Sequence, residues 1–300
     1  MNAKNSMNDR WMVFSKHLWG PSLDETGRRL AEMNVGAIDL TVRPGGHVEP
    51  ERAADDLPAA AEALGEHDVR IGMITTQITD ATEATTESIL RTASRLRIRY
   101  YKLGYWRYHG FRSIKSRRGE VAARLRDLAA LNLEFGIHGG FHNHSADFFG
   151  ALPGDTEAVL EQVAPEAIGV YFDPAHASIE GSSYGWLMGM DLLADRITML
   201  AVKDYRWIPN TGRHQAGRLY SSEFCPLGEG NTCWPSVVEC LNEIGFNGPV
   251  SFHSEYQGPH SFQDLSVDEV FEQTRKDVQQ FACWTEAARG RSGQIGVGGP

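Results

Sequence analysis

Eight short apolar runs punctuate the 300-residue chain, at 11–18, 37–42, 69–75, 99–105, 135–141, 168–172, 197–202 and 250–252. Each is bounded by polar or glycine positions, as strands buried on both faces of a parallel sheet tend to be. Amphipathic segments lie between them, at 22–34, 56–67, 82–96, 120–131, 155–163 and 234–244. In the first of these, Leu23, Leu30 and Met33 share one helical face, and Asp24, Glu25, Arg28 and Arg29 lie elsewhere. Ser22 and Asp155 stand where N-caps belong. Strand–helix alternation on this scale predicts an α/β fold, a single (β/α)8 TIM barrel. A doubly wound sheet would carry a glycine-rich phosphate turn after its first strand, whereas this chain has Lys16-His17-Leu18-Trp19-Gly20 there.

No Pro/Gly/Ser linker interrupts residues 11–287, so one barrel domain is expected. A flexible segment at 1–10 and a flexible, glycine-rich tail at 288–300 flank it. Lys+Arg number 29 and Asp+Glu 39, a formal charge of −10. Such a chain repels a phosphate backbone, so no nucleic-acid partner is expected. No run approaches the roughly 20 apolar residues of a membrane helix, and residues 1–10 lack the apolar stretch of a signal peptide. Cys225, Cys233, Cys240 and Cys283 form no C-x-x-C pair and read as reduced thiols. A cytoplasmic protein without a membrane partner is expected, and a homo-oligomer is left open.

In a barrel, chemistry gathers at the C-terminal ends of the strands. After the successive runs come Lys16 and His17; Arg43 and His47; Thr75 and Thr76; Lys102 and Tyr105; His142 and His144; Asp173 and His176; Lys203 and Asp204; and His253 and Glu255. His142 and His144, two apart, share one side of an extended strand. With Asp173 and Glu255 they make an imidazole–carboxylate set suited to a divalent metal ion, Mn2+, Co2+, Mg2+ or Zn2+. His176 serves as a further ligand or orients Asp173. Asp204 reads as a buried partner of Lys203 or of a helix N-terminus. His67, His109 and His214 read as loop or surface histidines, and His138 as a mid-strand residue. Lys16, Arg43, His47, Lys102 and Lys203 would make the mouth positive and bind substrate, with His253 on the same face as Glu255. Such a mouth favours a polyhydroxy substrate carrying a carboxylate or enolate.

Four segments carry a resemblance: Phe172-Asp173-Pro174-Ala175-His176, Val202-Lys203-Asp204, Pro226-Leu227-Gly228-Glu229-Gly230, and Gly245-Phe246-Asn247-Gly248-Pro249 before the strand that ends in Glu255. On these, over residues 11–285, the chain resembles the xylose isomerase-like superfamily of sugar isomerases and epimerases, which shares its barrel with the apurinic endonucleases. The resemblance implies a divalent cation held by a fifth-strand Glu, a sixth-strand Asp, a seventh-strand His and an eighth-strand Glu. Asp173 and Glu255 match. The fifth-strand position falls on His142, as in inosose dehydratase-like members, and the seventh-strand His falls on Ala201.

The implied activity is a divalent-metal-dependent sugar or sugar-derivative isomerase or epimerase acting through an enediolate, with Glu255 or His142 moving the proton. The alternative is a lyase or dehydratase on a keto-sugar or keto-cyclitol, in which His142 or His176 supplies the acid. An endonuclease would need more ligands and a basic surface. A barrel that binds a carbohydrate without turning it over is the remaining reading.

Overall fold

The structure, a computed structural model, describes residues 8–210 and 219–292. Eight parallel strands close a barrel: β1 (Asn8–Phe14), β2 (Val35–Val42), β3 (Arg70–Thr76), β4 (Tyr100–Lys102), β5 (His138–His142), β6 (Ile168–Phe172), β7 (Ile197–Val202) and, past a hairpin, β10 (Val250–Phe252). Every neighbouring pair is parallel, and β10 closes the ring against β1 through Trp11–Val250 to Val13–Phe252. Helices α1 (Leu23–Glu32), α2 (Ala53–Gly65), α3 (Thr86–Arg95), α4 (Ile114–Phe135) and α5 (Pro153–Leu160) follow the first five strands in turn. Two helices that apolar spacing does not announce, α6 (Pro174–Gly181) and α7 (Gly185–Leu193), fill the connection from β6 to β7. An antiparallel hairpin, β8 (Asp204–Pro209) with β9 (Tyr220–Cys225), stands between β7 and α8 (Trp234–Glu243), and α9 (Val267–Ser292) ends the described chain.

The eight expected runs are the eight barrel strands, with corrected ends. β1 stops at Phe14, and Ser15–His17 turns in a short 3-10 segment that carries Lys16 and His17 to Glu255. The run at 135–141 starts late because α4 continues through Phe135. Gly136 closes that helix at φ 64°, a left-handed conformation in which glycine has no Cβ to clash. His138 is therefore the first residue of β5 and not mid-strand. Ser22 caps α1 as expected, its hydroxyl accepting from the Glu25 N–H. Asp155 is no cap: α5 starts at Pro153, whose missing N–H suits a first helical turn, and Asp155 accepts from Arg118 instead. Residues 8–10 belong to β1, and residues 288–292 continue α9, with Ala288 buried. Residues 1–7 and 293–300, and His214, lie outside the described residues.

Helix faces bearing Leu30, Leu57, Leu64, Leu90 and Leu125 are buried against the outside of the barrel, each such side chain contributing roughly 1.5–3 kcal/mol. Inside, Met12, Ala37, Met73, Tyr171, Met199 and Ala201 form a small apolar plug. Alternation along β2 turns Asp39 and Thr41 inward beyond Ala37, and along β7 it turns Lys203 inward beyond Met199 and Ala201. A polar layer begins there. Asp39, fully buried, accepts from Thr75 Oγ1 at 2.8 Å and Ser251 Oγ at 2.9 Å.

Candidate active site

Asp173 sits at the turn from β6 into α6. Its Oδ1 accepts from the His176 N–H at 2.9 Å and caps that helix, so Oδ2 is left facing the barrel axis. His142 ends β5, and its Nε2 lies 3.3 Å from that oxygen. Lys203, one residue past β7, brings its Nζ to 3.1 Å from Asp173 Oδ2, 3.2 Å from Glu255 Oε1 and 2.8 Å from His176 Nε2. Glu255, beyond the end of β10, meets the Lys16 ammonium at 2.7 Å through its other oxygen. His17 Nε2 stands 3.8 Å from that same oxygen. Asp173 is fully buried, while the Glu255 side chain keeps 13% of its exposure and opens to the mouth.

Burial alone would raise both carboxyls. For Asp173, the Lys203 ammonium and the His176 and His142 rings outweigh it; for Glu255, the Lys203 and Lys16 ammoniums do. Both are held well below the usual carboxylate range. Burial would equally strip Lys203 of its proton, but Asp173 and Glu255 overcome it and raise the lysine above its ordinary value. Burial pushes His142 down to about 3, and burial with the nearby His144 and Lys203 keeps His176 well below its usual range. At neutral pH the centre therefore holds the Asp173 and Glu255 carboxylates, the Lys203 ammonium and neutral His142 and His176 rings. The histidines are steered from behind: Tyr105 Oη lies 2.9 Å from His142 Nδ1, Ser145 Oγ 2.8 Å from His176 Nδ1, and Tyr171 Oη 2.7 Å from His253 Nε2.

The other expected residues gather less closely. His253 approaches Glu255 Oε1 at 3.7 Å and is tied through Tyr171 to the Asp39 layer. His144 does not follow His142 as a strand neighbour, because β5 ends at His142. Its ring packs 3.9 Å from that of His176, and its Nδ1 lies 2.8 Å from the Ser145 carbonyl oxygen. His47 stacks on Trp19 with ring centroids 4.4 Å apart and meets Thr41 Oγ1 at 3.0 Å, and Arg43 lies over the Phe14 ring. Two of the five expected mouth cations, Lys16 and Lys203, are thus paired with carboxylates rather than left to attract an anion. Asp204 is buried as expected, but its partners are the backbone N–H groups of Tyr205, Gly228 and Thr232. His138 lies at the opposite end of the barrel, where it contacts the Glu166 carbonyl oxygen and Thr198 beside a cavity of about 470 Å³.

Lys102 is buried, donates to the Leu103 carbonyl at 2.7 Å and lies 3.6 Å from the Tyr105 ring centre. Burial, helped by Arg43 and opposed by Asp39, lowers it from 10.5 to about 7. The sign follows from that shift. Below pH 7 the folded chain carries a buried charge in full, and the cost fades as pH rises towards 10.5, where the unfolded lysine also sheds its proton. Lys102→Met is therefore expected to stabilise the protein against urea most at pH 6, by up to about 5 kcal/mol, and least near pH 10. An effect equal at both pH values would contradict a neutralised Lys102.

Reasoning from sequence placed Tyr105 at a strand end without a role, and gave no site role to Tyr171, Asp39 or Phe224. Asp39 carried a signal, a carboxylate inside an otherwise apolar run. Phe224 carried none: it comes from the hairpin, where its ring lies 4.8 Å from Lys203 Nζ.

The implied metal ion meets mixed geometry here. His142 Nε2 and Asp173 Oδ2 are buried and face each other 3.3 Å apart, as two ligand atoms would. Yet the seventh-strand position is the methyl group of Ala201, and a lysine ammonium already bridges Asp173 and Glu255. Among the described residues no group of three His, Cys, Asp or Glu side chains is gathered to hold a metal. The residues present do not fit the implied ion.

A family model described as "Xylose isomerase-like TIM barrel" matches residues 27–278. No curated protein sequence matches the chain. Among solved structures, an L-ribulose 3-epimerase superposes with a TM-score of 0.68 at 15% identity, covering 96% of this chain and 98% of that one. A D-psicose 3-epimerase from Clostridium cellulolyticum H10 gives 0.67 at 11% identity, over 92% and 99%. A probable 3-DHS dehydratase from Bacillus anthracis gives 0.66 at 12% identity, over 90% and 98%. At these identities the likeness is one of fold. No helix of the described residues is long and apolar enough to cross a membrane.

Proposed function

Because the chain belongs to the xylose isomerase-like TIM barrel family, we propose that it is a sugar or sugar-derivative isomerase or epimerase that moves a proton at the carbon beside a carbonyl. The observation that carries this reading is the Glu255 carboxylate, open to the mouth and held between the Lys203 and Lys16 ammoniums. In the reaction, a Glu255 oxygen takes the carbon-bound proton and the electron pair moves onto the carbonyl oxygen. The resulting enediolate is stabilised by cations already in place. Return of the proton to the neighbouring carbon gives an isomer, and return to the opposite face of the same carbon gives an epimer. Neutral His142 and His176, fixed from Tyr105 and Ser145, suit hydroxyl groups rather than an anion. The epimerases that share the barrel support a small carbohydrate as the substrate.

A second reading is a dehydratase or related carbon–oxygen lyase on a keto-sugar or keto-cyclitol. It starts from the same enediolate, but an acid then expels a β-oxygen. The Tyr105–His142 contact at 2.9 Å favours it, because a phenol and an imidazole so linked can pass a proton to a leaving oxygen. Proton NMR in deuterium oxide with ketoses, keto-sugars and inososes tests both. Loss of the signal beside the carbonyl with the carbon skeleton and its oxygens intact is expected. Loss of water identifies the lyase, and no exchange or elimination with any of them would sink both readings.

A further inference from the structure

The family resemblance implies a dication between the sixth- and eighth-strand carboxylates, and in this chain that place is taken. We propose that the Lys203 ammonium replaces the metal ion, standing as the fixed cation between Asp173 and Glu255. The inference rests on the isomerase reading only for what the ammonium does to a substrate, and not for its occupancy of the site.

The geometry is that of a point charge in a cage. A lysine ammonium has three N–H donors. Three acceptors surround Nζ, Asp173 Oδ2 at 3.1 Å, Glu255 Oε1 at 3.2 Å and His176 Nε2 at 2.8 Å, with the Phe224 ring on a further side. The charges balance: Asp173 and Glu255 are countered by Lys203 and by Lys16, which holds the second Glu255 oxygen. Adding a dication would leave two uncompensated positive charges in a site where Asp173, Lys203 and His176 are almost fully buried, a desolvated arrangement of high cost. Ala201, inward on β7 beneath Lys203, offers no donor to offset that cost. An ammonium gripped by two carboxylates also lacks the lone pair a Schiff base requires, so Lys203 acts through charge.

Its action on substrate follows from which contact is easiest to give up. The Glu255 contact is the longest of the three and belongs to the carboxylate that opens to the mouth. When Glu255 takes the carbon-bound proton it becomes a weaker acceptor, while the carbonyl oxygen becomes an enediolate oxygen. The Lys203 N–H turns from one to the other. No charge is created or lost in the cage, and the reverse step returns the proton and restores the Glu255 contact.

The test uses the full-length protein, dialysed against a strong chelator, analysed for metals, then titrated with Mn2+ by calorimetry and assayed for deuterium exchange with and without Mn2+. The wild type is expected to take up no Mn2+ at the carboxylates and to exchange at the same rate in both states. Lys203→Gln, which removes the stand-in cation, is expected to bind Mn2+ at least about tenfold more tightly than wild type; should that variant not fold, the wild-type titration still decides. Uptake of about one Mn2+ per chain by wild type, lost in Asp173→Asn, would overturn the proposal. Exchange restored only by Mn2+ would overturn it while upholding the isomerase reading. A protein that refuses Mn2+ and exchanges no substrate would uphold the replacement of the ion and overturn the isomerase reading.

Discussion

Glu255→Gln is expected to slow solvent exchange at the substrate carbon by at least roughly 10²-fold, the usual contribution of a positioned general base. The amide keeps the volume and an oxygen for Lys203 or Lys16, so binding should change far less than turnover. Within the cluster Glu255 is the carboxylate that opens to the mouth, whereas Asp173 is sealed and spends one oxygen on the α6 cap. His142 and His176 lie deeper, almost fully buried, with their rings held from behind by Tyr105 and Ser145. Exchange by Glu255→Gln at near wild-type rate would show that an imidazole, not Glu255, takes the proton. The measurement is single-substrate exchange followed by NMR, with KM determined separately to divide binding from chemistry.

The second large effect concerns stability. Asp173→Asn preserves an oxygen for the His176 N–H but removes the buried charge beside Lys203, which then shares only Glu255. Breaking one side of a buried ion pair typically costs about 3–5 kcal/mol, and a loss of that size is expected in urea unfolding at pH 7. Removing the stranded cation as well, in Asp173→Asn/Lys203→Met, should recover much of it, because the two residues touch and their effects do not add. Asp173 is held below its usual 3.8, so its pairing is fully present above that value and is lost as acid protonates the folded chain. A single-variant loss below about 1 kcal/mol, or strictly additive losses, would contradict a charge-coupled core.

The barrel was legible because buried parallel strands leave continuous apolar runs that survive errors of several residues at their ends. The errors fell where local rules compete. Phe135 is apolar enough for a strand yet completes α4, and only Gly136, in its left-handed turn, marks the boundary. α6 escaped notice because Asp173 serves at once as site residue and helix cap. Strand-end position brought Asp173, Lys203, Glu255 and His142 to the mouth correctly, but no spacing rule reveals that a long flexible lysine will bridge two carboxylates from different strands. Arg43 and His47 show the converse. Both follow β2 as the strand-end rule asks, yet they settle on the aromatic rings of Phe14 and Trp19.

Lys203 and Asp204 are consecutive, and alternation sends their side chains opposite ways. Lys203 enters the barrel, while Asp204 starts the β8–β9 ladder opposite Cys225 and clamps the following turn through Gly228 and Thr232. Gly230 lies so close that a Cβ there would come within 2.2 Å of the Asp204 carboxylate. The hairpin is thus bolted at its root, and its outer rungs, Ile208–Ser221 and Pro209–Tyr220, are far along the ladder from the bolt. Changes in the outer rungs are therefore separated along the ladder from the root, where Lys203 meets Asp173 and Glu255.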